Sequence, residues 1–216
     1  MKSTSLKIVF ILDESGSMRD SKSDVIGGFN SFIDRHKMEK DIDVNVSLYK
    51  FNNEITNTID NKPVGNVPNL TNNDYKPNGF TALYDAIGIS INSTDIYINS
   101  LSVENRPDSV MVVIFTDGEE NASKLYTSTA IKSIIETHEK LLNWNFIYLG
   151  SDIKDFADAD ALGLRNRIDY KRNRMASKFD TLADSTIMFC YNGFEDVEEK
   201  KLTFIDKLMS KLKDNN

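Results

Sequence analysis

A chain of 216 residues with 26 basic and 33 acidic side chains carries a formal charge of −7, which argues against a nucleic-acid backbone or an anionic membrane as its main partner. Its one cysteine, Cys190, excludes an internal disulfide. Folding at this length buries roughly 70% of the chain's surface, enough for a core that needs neither a bridge nor a structural zinc.

No Pro/Gly/Ser-rich linker divides the chain, and nothing approaches the ~20 apolar residues of a membrane span. The first five residues are polar, and the apolar run over 8–12 meets Asp13 and Glu14 too early for the core of a secretory leader. The expectation is one α/β unit of a reducing, cytoplasmic compartment, without a signal peptide.

In chain order, residues 6–12 form a near-continuous apolar run, the pattern of a strand buried on both faces. Val25, Ile26, Phe29, Phe32 and Ile33 then recur at helical spacing. Val44, Val46 and Leu48 alternate with polar residues, and 54–59 follows after Asn52-Asn53, so this pair reads as a hairpin at the exposed edge of the sheet. Residues 60–78 read as the longest loop.

A second helical stripe runs through Leu83, Ile87, Ile91, Thr94, Ile98 and Leu101, ahead of an apolar strand over 110–115. Ile131, Ile134, Ile135, His138 and Leu142 make a third stripe, followed by a strand over 146–149. Asp152 is placed to cap a short helix through Ile153, Phe156, Ala157 and Ala161 that stops at Gly163, with a short last strand over 168–170. Two more helical patterns follow: Met175, Phe179, Leu182, Thr186 and Phe189, ending at Gly193, and Val197, Phe204, Ile205, Leu208 and Leu212. Strands alternating with helices predict a mostly parallel sheet covered on both faces.

Three places put oxygen-bearing side chains beside a strand end or a helix start: Asp13-Glu14-Ser15-Gly16-Ser17, Gly79-Phe80-Thr81 and Thr116-Asp117-Gly118. Ligand sites of open α/β sheets form outside the carboxyl ends of the strands where the strand order reverses, so the three loops can converge. Asp13, Ser15 and Ser17 alternate in a tight turn, Thr81 adds a hydroxyl and Asp117 a second carboxylate. This all-oxygen set suits a hard cation such as Mg²⁺, with Mn²⁺ or Ca²⁺ possible, and lacks the Cys and His that zinc would favour. The competing reading keeps the same residues as helix caps and turns: Ser17 or Ser21 capping the first helix, Thr81 the second, and Asp117-Gly118 a plain turn. Glu14, Asp20, Glu119 and Glu120 read as a solvated acidic rim, His36 and His138 as structural, Cys190 as a buried thiol, and the bases around Arg165, Arg167, Lys171, Arg172 and Arg174 as a solvated rim.

These residues resemble the von Willebrand factor A domain and its metal-ion-dependent adhesion site. The Asp-x-Ser-x-Ser element matches Asp13, Ser15 and Ser17; the Gly-x-Thr-Ala-Leu context matches Thr81; the Thr-Asp-Gly element matches Asp117. The resemblance spans roughly Leu6 to Tyr191 and implies a six-stranded, mostly parallel, Rossmann-like sheet with one antiparallel edge strand; the pattern of the chain divides it into a domain of residues 1–193 and a helix over 194–216 packed on it or extending it. It also implies that Ser15, Ser17 and Thr81 ligate Mg²⁺ directly, that Asp13 and Asp117 act largely through coordinated water, and that a carboxylate of a protein partner completes the shell. The chain is similar in scale to stand-alone bacterial and bacteriophage domains of this type.

The function expected is a non-catalytic, metal-dependent protein-binding module that uses neither nucleic acid nor membrane. One alternative is a metal-dependent phosphotransfer or phosphatase enzyme, since Asp13 stands where aspartyl nucleophiles sit. Against it, haloacid-dehalogenase-like enzymes carry a second aspartate where this chain has Ser15, and no phosphate-binding Gly-x-x-x-x-Gly-Lys loop or Gly-x-Ser-x-Gly elbow occurs. Another is an assembly protein docking through the helix over 197–212.

Overall fold

The computed structural model describes residues 4–150, 156–169 and 175–191. Six strands, β1 (Thr4–Asp13), β2 (Ile42–Phe51), β3 (Ile55–Pro63), β4 (Ser109–Phe115), β5 (Trp144–Gly150) and β6 (Arg167–Asp169), form one sheet in the order β3-β2-β1-β4-β5-β6. Only the β2–β3 pair is antiparallel, as the alternating pattern of that hairpin implies. Among the described residues five α-helices flank the sheet: α1 (Lys22–Met38), α2 (Leu83–Ser100), α3 (Ser128–Leu141), α4 (Phe156–Ala161) and α5 (Met175–Tyr191).

Alternation along β1 divides the interior into two cores. Leu6, Ile8, Phe10 and Leu12 pack with Phe29, Phe32 and Ile33 of α1 and with Phe179, Leu182 and Ala183 of α5. Val9 and Ile11 face the other way, toward Leu83, Ile87 and Ile91 of α2, Ile131 and Ile135 of α3, and Ala159 of α4. Central strands buried on both sides explain why β1, β4 and β5 read as unbroken apolar runs. Trp144 is buried at the start of β5, and His36 and His138 lie inside as structural side chains, the first stacked on Phe32 and the second edge-on to Trp144.

Some boundaries differ from the sequence reading. β3 runs on to Pro63 and a 3-10 turn covers Val64–Asn66, so the irregular stretch begins later than residue 60. A bulge in β3 sets Asn61 at φ 47 and turns its side-chain oxygen onto the amine of Lys7, which also donates to Ser47 Oγ at 2.7 Å. Lys7 is 1% exposed, and burial pulls its pKa down to about 7. Leu142 is exposed, because α3 ends at Leu141 and the chain turns back through Asn143 at φ 56. Gly163 at φ 70 stops α4 where a left-handed residue was expected.

Asp152, Lys171, Arg172, Arg174 and the helix expected over 197–212 lie outside the described residues. Among the described residues no helix is long and apolar enough to cross a membrane.

Strand order reverses at β1. The chain builds outward through β2 and β3, then returns to place β4 on the other side of β1, with Leu12 opposite Phe115. The carboxyl ends of β1 and β4 therefore lie side by side, and the loops leaving them diverge to form a crevice.

Candidate metal centre

Asp13 is the last residue of β1 and Thr116 the first after β4, so the parallel register brings them together. Thr116 Oγ1 donates to Asp13 Oδ2 at 2.6 Å, and the Ser15 amide donates to Asp13 Oδ1 at 2.7 Å. Asp13 is fully buried, and among the described residues no basic side chain pairs with it. Burial pushes its carboxyl up to about 6 against the pull of the Thr116 and Ser15 hydrogen bonds, with a further push from the charge of Asp117.

Ser15 leads into a 3-10 helix, Gly16–Ser21, which turns Ser17 back over the strand end. The two hydroxyls stand 3.0 Å apart, and Ser17 Oγ donates to Asp117 Oδ1 at 2.6 Å. Gly16 allows the close approach on which the turn depends: its amide donates to the carbonyl of Gly79 at 3.0 Å, and a Cβ there would come within 3.3 Å of that oxygen. Gly79 itself sits at φ 80 and swings Thr81 inward. Thr81 is 3% exposed, just ahead of α2.

Gly118 shows how the three segments meet. A Cβ on Gly118 would stand 3.0 Å from Thr81 Oγ1, 3.2 Å from Ser17 Oγ and 3.6 Å from Asp13 Oδ2. Oxygens from residues 13, 17 and 81 thus ring one small space that is open only because residue 118 has no side chain. All five residues singled out in the sequence, Asp13, Ser15, Ser17, Thr81 and Asp117, are brought to this space or hydrogen-bonded to a residue that lines it. The reading of Ser21 and Thr81 as helix caps fails: Ser21 and Ala82 hold the cap positions of α1 and α2, and neither side chain caps its helix. Two carboxylates with three hydroxyls match what a hard divalent cation takes. Among the described residues no cluster of three or more His, Cys, Asp or Glu side chains forms a competing centre.

Several supporting residues carried no local signal in the sequence. Tyr75, wholly buried, donates its hydroxyl to the backbone carbonyl of Asp13. Asn53 Oδ1 accepts the Phe80 amide at 2.8 Å, and Asn121 Oδ1 accepts the Thr81 amide at 2.9 Å. Asp85 and Glu120 bind backbone amides of the loop after β4.

The acidic rim needs correction. Glu14 pairs with Lys50 at 3.1 Å and accepts the Lys76 amide, because the long loop folds over it. Glu120 is likewise engaged with Tyr84, Ala122 and Ser123, whereas Glu119 and Asp20 are exposed.

No family model matches the sequence, and the comparison with curated proteins returns no match. Solved structures do match. The PilB minor pilin from Streptococcus sanguinis aligns over 85% of this chain at 13% identity with a TM-score of 0.60. This chain spans only 61% of that protein. The vWF domain of the type V pili tip protein Mfa5 from Porphyromonas gingivalis aligns over 86% of this chain and 96% of its own, at 12% identity and a TM-score of 0.62. The manganese-loaded TRAP protein of Plasmodium vivax aligns over 83% of this chain and 75% of its own, at 16% identity and a TM-score of 0.55. Identities this low speak to architecture alone, and with the six-stranded sheet and its single antiparallel edge they establish that the chain folds as a von Willebrand factor A domain.

Proposed function

We propose that the chain is a non-catalytic protein-binding domain whose adhesion site holds a divalent cation, Mg²⁺ in the first instance, and captures an acidic side chain of a partner protein. The observation that carries this is the ring of oxygens from Thr81, Ser17 and Asp13 around the space in front of Gly118. Ser15, Ser17 and Thr81 would ligate the ion, with Asp13 and Asp117 supplying balancing charge. An ion held largely by neutral hydroxyls stays electron-poor, so an external carboxylate is the natural completing ligand. The manganese in the TRAP structure supports a divalent ion at a fold of this kind.

The non-catalytic reading rests on how the hydroxyls of the site are engaged. The hydroxyl of Thr116 is bonded to Asp13 and that of Ser17 to Asp117, and among the described residues no histidine joins them. We place the domain in the cytoplasm, a reading that rests on Cys190 being a free, buried thiol.

Affinity capture from lysate in Mg²⁺ and in EDTA tests the reading. The partner should be retained in Mg²⁺, released by EDTA, and lost in the double variant Asp13→Ala, Asp117→Ala. Retention of the same partner by that variant in EDTA overturns it.

A further inference from the structure

We propose that Asp85 is a positioning residue for the cation site, acting through the loop that carries Asp117 and Gly118; the inference rests on the reading given under Proposed function. Residues 116–127 connect β4 to α3 without a helix or strand of their own. Such a segment takes a single conformation only if its backbone groups find partners.

Asp158 of α4 accepts the Glu120 amide at 2.9 Å, and a denser set of partners lies at the start of α2. The carboxylate of Asp85, 5% exposed, accepts three successive amides: Lys124 at 2.8 Å on one oxygen, and Leu125 at 2.9 Å and Tyr126 at 2.8 Å on the other. In return the loop caps the helix. Glu120 accepts the Tyr84 amide at 3.0 Å, and Ser123 Oγ accepts the Asp85 amide at 3.1 Å, so two of the orphan donors of α2 are satisfied from the loop. The carbonyl of Thr81 accepts the amides of Asn121 and Ala122 at 3.0 and 3.2 Å. One turn further along α2, the ring of Tyr126 lies against Gly88 so closely that a Cβ there would come within 2.6 Å of it.

Thr81 and the loop bearing Asp117 are therefore one hydrogen-bonded unit, with Asp85 at its centre. Three converging N–H groups need an acceptor with two oxygens in a small space, which a carboxylate supplies. The amide of an asparagine offers one oxygen and turns an NH₂ toward a backbone donor. With Asp85 lost, Gly118 is no longer held beside Thr81 Oγ1 and Ser17 Oγ, and the oxygen ring opens.

The test measures Mn²⁺ affinity by water-proton relaxation well below the unfolding temperature, with hydrogen exchange of the amides of residues 124–126 as the local readout. Asp85→Asn removes the acceptor. Gly88→Ala displaces Tyr126 without changing charge, and carries the test if Asp85→Asn does not fold. Both should weaken Mn²⁺ binding by about 10- to 100-fold, the range for residues that orient ligands from behind, and both should speed exchange at the three amides. A purely structural role would lower the unfolding midpoint and leave the dissociation constant of the folded protein unchanged. Faster exchange with wild-type Mn²⁺ affinity in both variants overturns the inference and leaves the function standing. Absence of Mn²⁺ binding by the wild-type protein overturns the function and this inference with it.

Discussion

Ser17 Oγ donates a 2.6 Å hydrogen bond to Asp117 Oδ1, joining the turn after β1 to the loop after β4 across 100 positions of sequence. This bond is exposed, whereas the carboxylate of Asp13 beside it is buried and held by Thr116. Sheet topology makes both contacts, because β1 and β4 are parallel neighbours whose ends coincide.

Gly118→Ala should keep the fold and lose the ion. The glycine is not at a positive φ, so alanine is compatible with its backbone, yet the added methyl would occupy the space bounded by Thr81, Ser17 and Asp13. Calorimetric titration with Mg²⁺ should show no binding by a protein whose circular dichroism matches wild type. Wild-type affinity in this variant would place the ion elsewhere.

Tyr75→Phe should destabilise the protein and weaken the ion site together. The lost hydroxyl leaves the buried Asp13 carbonyl without a donor, at a cost of about 1–3 kcal/mol, and frees the long loop from the strand end. Urea unfolding with and without Mg²⁺ measures both effects. A midpoint equal to wild type would show that this contact contributes nothing.

Acid should erode stability through His36. Burial lowers its pKa from 6.5 to about 4, against the opposing pull of the Phe32 carbonyl and the charges of Glu39 and Asp184, while Arg35 adds to the lowering. One ring nitrogen bonds Phe32 O at 2.9 Å, and the other, Nε2, is buried without a partner among the described residues, so a proton there would be stranded. The folded pKa lies below the unfolded one, so the unfolded chain takes up the proton first. Stability falls as pH drops from 6.5 to 4 and is not lowered further by this group below that. The full loss is roughly 3 kcal/mol at ~1.4 kcal/mol per pH unit. Unfolding midpoints over this range should slope less in His36→Phe; an unchanged slope contradicts the assignment.

The parts of the fold legible in sequence are those set by local pattern. The unbroken apolar runs of β1, β4 and β5, the alternation in β2 and the helical stripes each follow from burial of one face or two. The candidate site was legible because its residues cluster in three short loops that this topology forces together. The residues that hold those loops were not. Asp85 reads as an acid in the first turn of a helix, and nothing nearby reveals that its partners lie 39 to 41 positions on. Glu14 and Glu120 looked like solvated rim, since only the folded chain brings Lys50 and the α2 amides to them. Tyr75 falls in the irregular stretch after β3, where periodicity carries no information about burial.

Thermal unfolding of the wild-type protein in Mg²⁺ and in EDTA, beside Ser17→Ala, bears most directly on the proposed ion site. At ~100-fold over its dissociation constant a bound ion adds about 2.7 kcal/mol, a rise of roughly 5–11 °C for a chain of this size. Wild type should show that rise, and Ser17→Ala should lose it or show it markedly reduced. Identical midpoints for wild type in Mg²⁺, Mn²⁺, Ca²⁺ and EDTA would contradict it.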